Sequence, residues 1–398
     1  MKLIERKTYL KSLINVAGTP DIKVITGIRR AGKSKLLLSF SNYIKAHDET
    51  ANIISIDFNM LSAEPLLEYH ALFNYVQNRF IPNVNNYLMI DEIQMCSGFE
   101  KAINSLHATE NYDIYLTGSN AFLMSSDLAT LFTGRTFQIE VFPFSLAEYM
   151  DYFAIKDPNE ALTGYLRAGG LSGSYVYKTE GERMSYLSAV YKTLILRDIT
   201  LKHRIRNATT LNNLSNFMMD NVGNVTSSRA LTNKLGASHD MHSNKTITSY
   251  VDYLCEAFLF YKVARYDMKG KKYLSTSSKY YLADHALRYA ELGFRNMDYG
   301  RVYENIVALE LMRRGWDIYA GILYKNEIDF VAMKGNEKIY IQVCDNVSSN
   351  EVLRRETAPL LKIHDAYPKM IIARTQQETH DHEGITIHNL ASWLVNEN

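Results

Sequence analysis

Eight consecutive residues, Gly27-Ile28-Arg29-Arg30-Ala31-Gly32-Lys33-Ser34, constrain the fold of this chain more than any other stretch. The pattern G-x-x-x-x-G-K-[ST] cradles an anion when a strand feeds it and a helix follows, because backbone N–H groups at the helix N-terminus then converge on phosphate. Both flanks are present: Lys23-Val24-Ile25-Thr26 is β-rich, and Leu36, Leu37, Phe40 and Ile44 recur at helical spacing. Gly27 and Gly32 permit the tight curl, Lys33 reaches β- and γ-oxygens, and Ser34 offers its hydroxyl to Mg2+. Amides from Arg30 through Ala31 to Lys35 face the phosphates nearer the sugar. The expected ligand is ATP with Mg2+.

The rest of the first 150 residues can be placed by distance from that loop. A helix is expected within residues 1 to 20, a strand over Asn52 to Phe58, and a helix from Glu64 to Phe80 that stops near Pro82. The apolar run Tyr87-Leu88-Met89-Ile90 ends in Asp91 and Glu92. At the tip of a buried strand, Asp91 can hold Mg2+ through its water shell, and Glu92 can orient and polarise an attacking water. Ile114 to Thr117 forms another apolar strand, running into Gly118-Ser119-Asn120. Ser119, with Thr117 and Asn120 as alternatives, is positioned to touch the γ-phosphate or that water. Arg135 immediately precedes the strand expected over Thr136 to Phe142.

At 398 residues the chain exceeds one ordinary core, so two or three domains are expected. With 44 basic against 43 acidic residues, no global basic field advertises nucleic acid, and any such surface must be local. Cys96, Cys255 and Cys344 are far apart, which argues against a disulfide framework or a zinc site and for a reducing compartment. The charged N-terminus lacks a secretory apolar segment and no run has the length of a membrane span, so a cytoplasmic protein with no membrane partner is expected.

Beyond the sheet, Ser145 and Glu148 make a capping box that opens a helix. Gly170-Leu171-Ser172-Gly173-Ser174 is not a nucleophile elbow, since Ser174 stands where glycine is needed. Leu211, Leu214, Phe217 and Met218 mark one helix and Ser227 to Leu235 a second. A third, capped by Ser243 or Thr246, carries Ile247, Val251, Leu254 and Phe258. Strands over Leu259 to Tyr266 and Tyr280 to Ala283 bracket the basic loop Met268-Lys269-Gly270-Lys271-Lys272. That order describes a winged helix, whose third helix would present Asn244, Lys245, Thr248 and Ser249 to a groove of duplex DNA while Lys269, Lys271 and Lys272 contact phosphates. A winged helix used for protein contacts is the alternative.

Together, Gly27 to Ser34, Leu88 to Glu92, Thr117 to Asn120, and Gly134-Arg135 leading into Val141 to Tyr149 resemble a prokaryotic superfamily of AAA+ ATPases with a C-terminal domain of uncharacterised function. The resemblance spans essentially the whole chain and is most specific in the first 150 residues. It implies that Asp91 and Glu92 are the Walker B pair, that Ser119 lies in the sensor region, and that Arg135 is an arginine finger acting on a neighbouring subunit of a homo-oligomer. It also implies a helical lid with an arginine that senses nucleotide; Arg167 and Arg197 are equally placed for it, and the role stays unassigned.

The last hundred residues, with a helix over Tyr303 to Arg314 and strands around Ile318, Asp329 and Ile341, are similar in order to the restriction-endonuclease-like fold. In active members Glu304 and Asp329 would be joined by an E-x-K pair. Gln342 stands here in place of the glutamate and Cys344 in place of the lysine, so a nuclease-shaped module without nuclease activity is expected.

The expected architecture is therefore α/β: a P-loop AAA+ core over 1–150 with a parallel sheet, a helical lid over 151–205, a winged helix over 206–290 and a restriction-endonuclease-like domain over 291–398. The expected function is an ATP-binding and ATP-hydrolysing protein that couples nucleotide state to DNA, or, alternatively, a nucleotide-dependent signalling or scaffold protein. A small-molecule P-loop kinase would leave everything after the sheet unexplained.

Overall fold

The computed structural model describes residues 3–118, 132, 134–235, 243–270, 272–294, 298–324 and 326–396, which divide into two units, 1–141 and 142–398. In the first unit, β1 (Ile22–Thr26), β2 (Asn52–Asp57), β3 (Asn86–Asp91), β4 (Asp113–Thr117) and β5 (Thr136–Glu140) form a parallel sheet in the order β2-β3-β4-β1-β5. Every residue of β1 is buried, as expected of a central strand covered on both faces. Ile22, Val24, Ile54, Ile56, Leu88 and Ile90 pack with Leu72 and Val76 of α3 (Tyr69–Gln77) and with Ile103 and Leu106 of α4 (Phe99–His107).

Because alternate residues of a strand face opposite ways, Lys23 enters the interior between Ile22 and Val24. Its ammonium donates to Asp113 on β4 at 2.6 Å and to the Thr19 carbonyl at 2.5 Å, so the buried charge is compensated. The helix expected from Glu64 begins later, because Pro65 confines Leu61–Leu66 to a 3-10 turn before α3 starts. The N-terminal helix α1 covers Lys7–Asn15.

The second unit begins with α5 (Leu146–Phe153), α6 (Pro158–Ala168) and α7 (Glu180–Thr193), the last passing directly into a π-helical segment, Leu194–Leu201. The expected capping box is formed: Ser145 accepts from the Glu148 N–H, and Glu148 from the Ser145 N–H. The Gly169-Gly170 corner has a specific cause. Buried Asp284 accepts the N–H groups of Gly170 and Leu171 at 2.8 and 2.6 Å, and a Cβ at Gly169 would collide with that carboxylate.

Three helices follow, α8 (Ala208–Asp220), α9 (Ser228–Leu235) and α10 (Asn244–Glu256), then the hairpin β6 (Phe260–Asp267) and β7 (Lys272–Leu282). The eight-stranded sheet of this unit has the order β12-β13-β11-β10-β9-β8-β6-β7. Its further strands are β8 (Asp317–Leu323), β9 (Asn326–Lys334), β10 (Glu337–Cys344), β11 (Lys369–Ala373), β12 (Thr379–His382) and β13 (Ile385–Asn389). The hairpin expected as a wing and the strands expected for the last domain thus share one sheet, joined where β6 runs parallel to β8. β7 is also longer than the Tyr280 to Ala283 run suggests. Its Ser-rich middle has turn-like composition, and there the register with β6 shifts, so that Leu274 pairs with Arg265 and Ser278 with the adjacent Ala264. Helix α12 (Tyr299–Arg313) lies against this sheet after the short α11 (Ala286–Leu292).

Candidate functional site

The loop between β1 and α2 (Lys33–His47) is held by its glycines and by one arginine. Gly27 has φ +126°, and a Cβ there would run into the carbonyl oxygen of Val141, so no other residue fits. Gly32, also left-handed at φ +100°, is the N-cap of α2, which turns the first free N–H groups of that helix toward the loop. Arg30 adopts φ +67° without being glycine, a strained conformation of the kind that collects at functional sites. From α1's approach, buried Arg6 donates to the Ala31 carbonyl at 2.9 Å and fixes the outer wall. Lys33 is buried and donates to the carbonyls of Gly27 and Ile28 at 2.9 and 3.1 Å, which lays its ammonium across the mouth of the cradle, while Ser34 and Lys35 are exposed.

The acids arrive on the same edge of the sheet because all its strands are parallel. Asp91 ends β3, beside Asp57 at the end of β2. The Thr117 hydroxyl at the end of β4 donates to Asp91, and the Ser34 hydroxyl is near enough to favour its charged form. Burial raises the Asp91 pKa above its ordinary value, an effect that Glu92 and Asp57 reinforce and that the two hydroxyls oppose. Glu92 follows in a left-handed conformation, φ +56°, with its N–H on the Thr117 hydroxyl at 3.2 Å and its carboxylate accepting from Gln94.

The loop and the acid pair lie at one edge of the sheet, and the structure adds Arg6, Asp57 and Gln94, which no motif flagged. Thr117, one of three candidates for the strand tip, touches Asp91; Ser119 and Asn120 lie outside the described residues. Ser34 and Asp91 offer a hydroxyl and a carboxylate, and among the described residues no three His, Cys, Asp or Glu are grouped to hold a metal by themselves. The hydroxyl and the carboxylate suit Mg2+, which takes one or two protein oxygens and completes its shell with phosphates and water.

Arg135 is exposed at the start of β5, whose Thr136 pairs with Ile22 and whose Glu140 pairs with Thr26. It therefore lies at the opposite end of the sheet from the loop, roughly 17 Å of strand away.

A sequence profile described as an AAA domain matches residues 19–150, and a domain of unknown function matches residues 159–298. An uncharacterized protein of Haemophilus influenzae is 34% identical over 399 residues, covering 99% of both chains. The chain belongs to this AAA+ family. A second relative, from Methanocaldococcus jannaschii, is 28% identical and covers 86% of this chain and 78% of its own. In fold, the Walker-type ATPase Paby2304 of Pyrococcus abyssi is similar with a TM-score of 0.51 at 18% identity, covering 72% of this chain and 95% of that one.

In the second unit of this AAA+ protein the structure gathers the two acids singled out near the C-terminus around a residue that sequence reasoning missed. Lys279 and Tyr281 share a face of β7, as Glu327 and Asp329 share a face of β9. The Lys279 ammonium, nearly fully buried, lies 2.8 Å from Glu304 of α12, 2.5 Å from Glu327 and 3.6 Å from Asp329. Tyr281 donates to Glu304 at 2.6 Å, and the Val343 N–H to Asp329 at 2.9 Å. Burial lowers the Lys279 pKa, but the surrounding carboxylates outweigh burial and leave it above its ordinary value.

Burial, with Glu304 adding to it, raises Asp329. The Gln342 side chain accepts from the Asp329 N–H at 2.7 Å and its amide donates to Glu356 at 3.3 Å, so it knits the cluster as a neutral crosslink. The buried Cys344 thiol is pushed up to about 12, chiefly by burial.

Of the lysines expected to meet DNA, Lys245 is exposed in the first turn of α10, behind the Ser243 cap. Lys269 lies over the Tyr324 ring and Lys272 is exposed at the start of β7, while Lys271 is outside the described residues. Among the described residues no helix is long and apolar enough to cross a membrane.

Proposed function

We propose that this protein binds ATP with Mg2+ on Gly27, Arg30 to Lys35 and Asp91, hydrolyses it with Glu92, and uses the nucleotide state to set the affinity of its C-terminal part for DNA. The observation that supports this reading is the convergence of a lysine-bearing loop, at the N-terminus of α2, with an acid pair at the tip of β3. Ser34, in the first turn of α2, is near enough to Asp91 to favour its charged form. Bound ATP with Mg2+ supplies the phosphoanhydride to be split.

Lys33 and the amides from Arg30 to Lys35 offset the charge on the terminal phosphates and orient them. Thr117 holds Asp91, and the Glu92 carboxylate takes a proton from the attacking water. Ser119 is assigned to the strand tip beside that water. Arg135, too far from its own loop, is assigned to a neighbouring copy in a homo-oligomer. Two inactive variants test both roles together. Glu92→Gln and Arg135→Ala are each expected to lose turnover, and mixing them is expected to restore part of it, because a mixed interface pairs an intact Glu92 with an intact Arg135. A mixture no more active than its components would rule out action in trans.

For the partner, residues 206–290 are proposed to act as a winged helix that meets duplex DNA through Lys245, Lys269, Lys271 and Lys272. The restriction-endonuclease-like part is proposed not to cut, because Gln342 and Cys344 stand in place of the metal-binding glutamate and the lysine, and Lys279 already occupies the space among the remaining acids. The scaffold reading keeps one observation in its favour: α10 carries Lys245 but also Asp252 and Glu256, a weak basic face for a groove reader. Gel shifts with duplex DNA at two salt concentrations separate the readings, since phosphate-driven binding must weaken steeply with salt.

A further inference from the structure

The face between the loop after β6 and the far side of the same sheet combines aromatic rings with lysines in a way that neither the ATPase site nor the acid cluster uses. A cavity of about 470 Å³ opens there, walled by Tyr266, Tyr324, Tyr340 and Tyr367 and by Lys269 and Lys338. Lys362 also lines it, so three lysines face a single acid, Asp365. That aspartate is already engaged: it accepts from Tyr340 at 2.5 Å and from Lys338 at 3.3 Å, and so fixes a ring and a cation in the wall.

Lys338 lies 4.0 Å from the centre of the Tyr367 ring and Lys269 4.9 Å from that of Tyr324. Tyr324 is 68% exposed and Tyr367 42%, so both side chains are open to solvent beside their lysines. The aromatic surface continues beyond the cavity: Tyr273, 60% exposed, stands 5.4 Å from Tyr266 and 5.0 Å from Tyr319 between ring centres.

We propose that this groove binds single-stranded nucleic acid, with unpaired bases stacked on Tyr324 and Tyr367 and the backbone passing along Lys269, Lys338 and Lys362. Exposed tyrosines interleaved with lysines satisfy both needs of a single strand, π-faces for its bases and cations for its phosphates. A duplex keeps its bases stacked inside and cannot use those rings. The inference rests on the nucleic-acid reading above for the class of partner, and it adds a single-strand site beside the proposed duplex contact, the two sharing Lys269.

Fluorescence anisotropy tests it with labelled oligo-dT and oligo-U of about 20 nucleotides, long enough to span a site of the usual 4–16 nucleotides, and with a duplex of the same length, on the full chain. Wild type is expected to bind the single strands, and the dT-against-U pair reports which sugar is preferred. Tyr324→Ala with Tyr367→Ala is expected to weaken single-strand binding roughly 10- to 100-fold, since each stacked base contributes a severalfold or larger factor. Lys269→Gln with Lys362→Gln is expected to flatten the salt dependence by about 1.4 in log–log slope. An unchanged melting curve excludes misfolding, and Lys245→Ala is expected to affect the duplex alone. If the tyrosine variant binds single strands as tightly as wild type while duplex binding persists, this groove is not the site and the DNA reading survives. If no nucleic acid binds at all, both fail.

Discussion

Acidic side chains converge at two places in this molecule, and the two clusters are satisfied in opposite ways. Asp91, at the tip of a parallel strand, is held by the hydroxyl of Thr117 with that of Ser34 nearby, neutral groups that favour a carboxylate without cancelling its charge. Glu304, Glu327 and Asp329 instead surround an ammonium, Lys279, that the protein supplies from its own β7. A carboxylate held by a hydroxyl can still take up a cation from solution. One that already shares a buried lysine has its counterion built in, and the same residue types then serve the fold.

The contrast can be sharpened by experiment. Glu92→Gln should preserve ATP binding and lower turnover by at least about 100-fold, the usual contribution of a positioned base; phosphate release beside a binding isotherm checks both halves. Lys279→Met should destabilise the protein by about 3–5 kcal/mol, because it leaves buried carboxylates without their cation. Denaturant melts measure that loss, and a change below about 1 kcal/mol would place the cluster among surface ion pairs. The same variant incubated with plasmid and Mn2+ should still fail to cut, because Gln342 remains neutral.

Asp329 gives the sign of a smaller, pH-dependent effect. Its pKa is raised in the folded protein, so its contribution to stability is fully present below the ordinary value of 3.8 and is lost as pH climbs through the raised one. Asp329→Asn should remove that part of the pH dependence, visible as a flatter stability profile between about pH 4 and pH 8. The smallest effect concerns the thiols. Cys96 is pushed up to about 11 and Cys255 and Cys344 to about 12, all chiefly by burial, so near pH 8 a thiol reagent should react slowly with the native protein and completely after unfolding.

These two regions also differ in how far they were legible in the sequence. The phosphate loop is contiguous, and its strand and helix lie on either side of it, so local pattern placed Gly27, Lys33 and Ser34; Asp91 and Glu92 followed from one apolar run. Asp57 falls inside the strand expected over Asn52 to Phe58 and carries no motif, and only the β2–β3 register brings it beside Asp91. Arg6 carries no motif at all. Lys279 was invisible for a stronger reason: its partners lie on α12 and β9, and the middle of its strand is Ser-rich, so neither composition nor spacing signals the contact. Lys23 shows the same limit, as a lysine inside a β-rich run is explained only by Asp113 on the neighbouring strand.

Calorimetric titration of ATP with Mg2+ into wild type and Lys33→Ala tests the central claim most directly. A saturable heat with wild type and none with the variant, at an unchanged melting temperature, is the result this account predicts; equal affinities for the two proteins would contradict it.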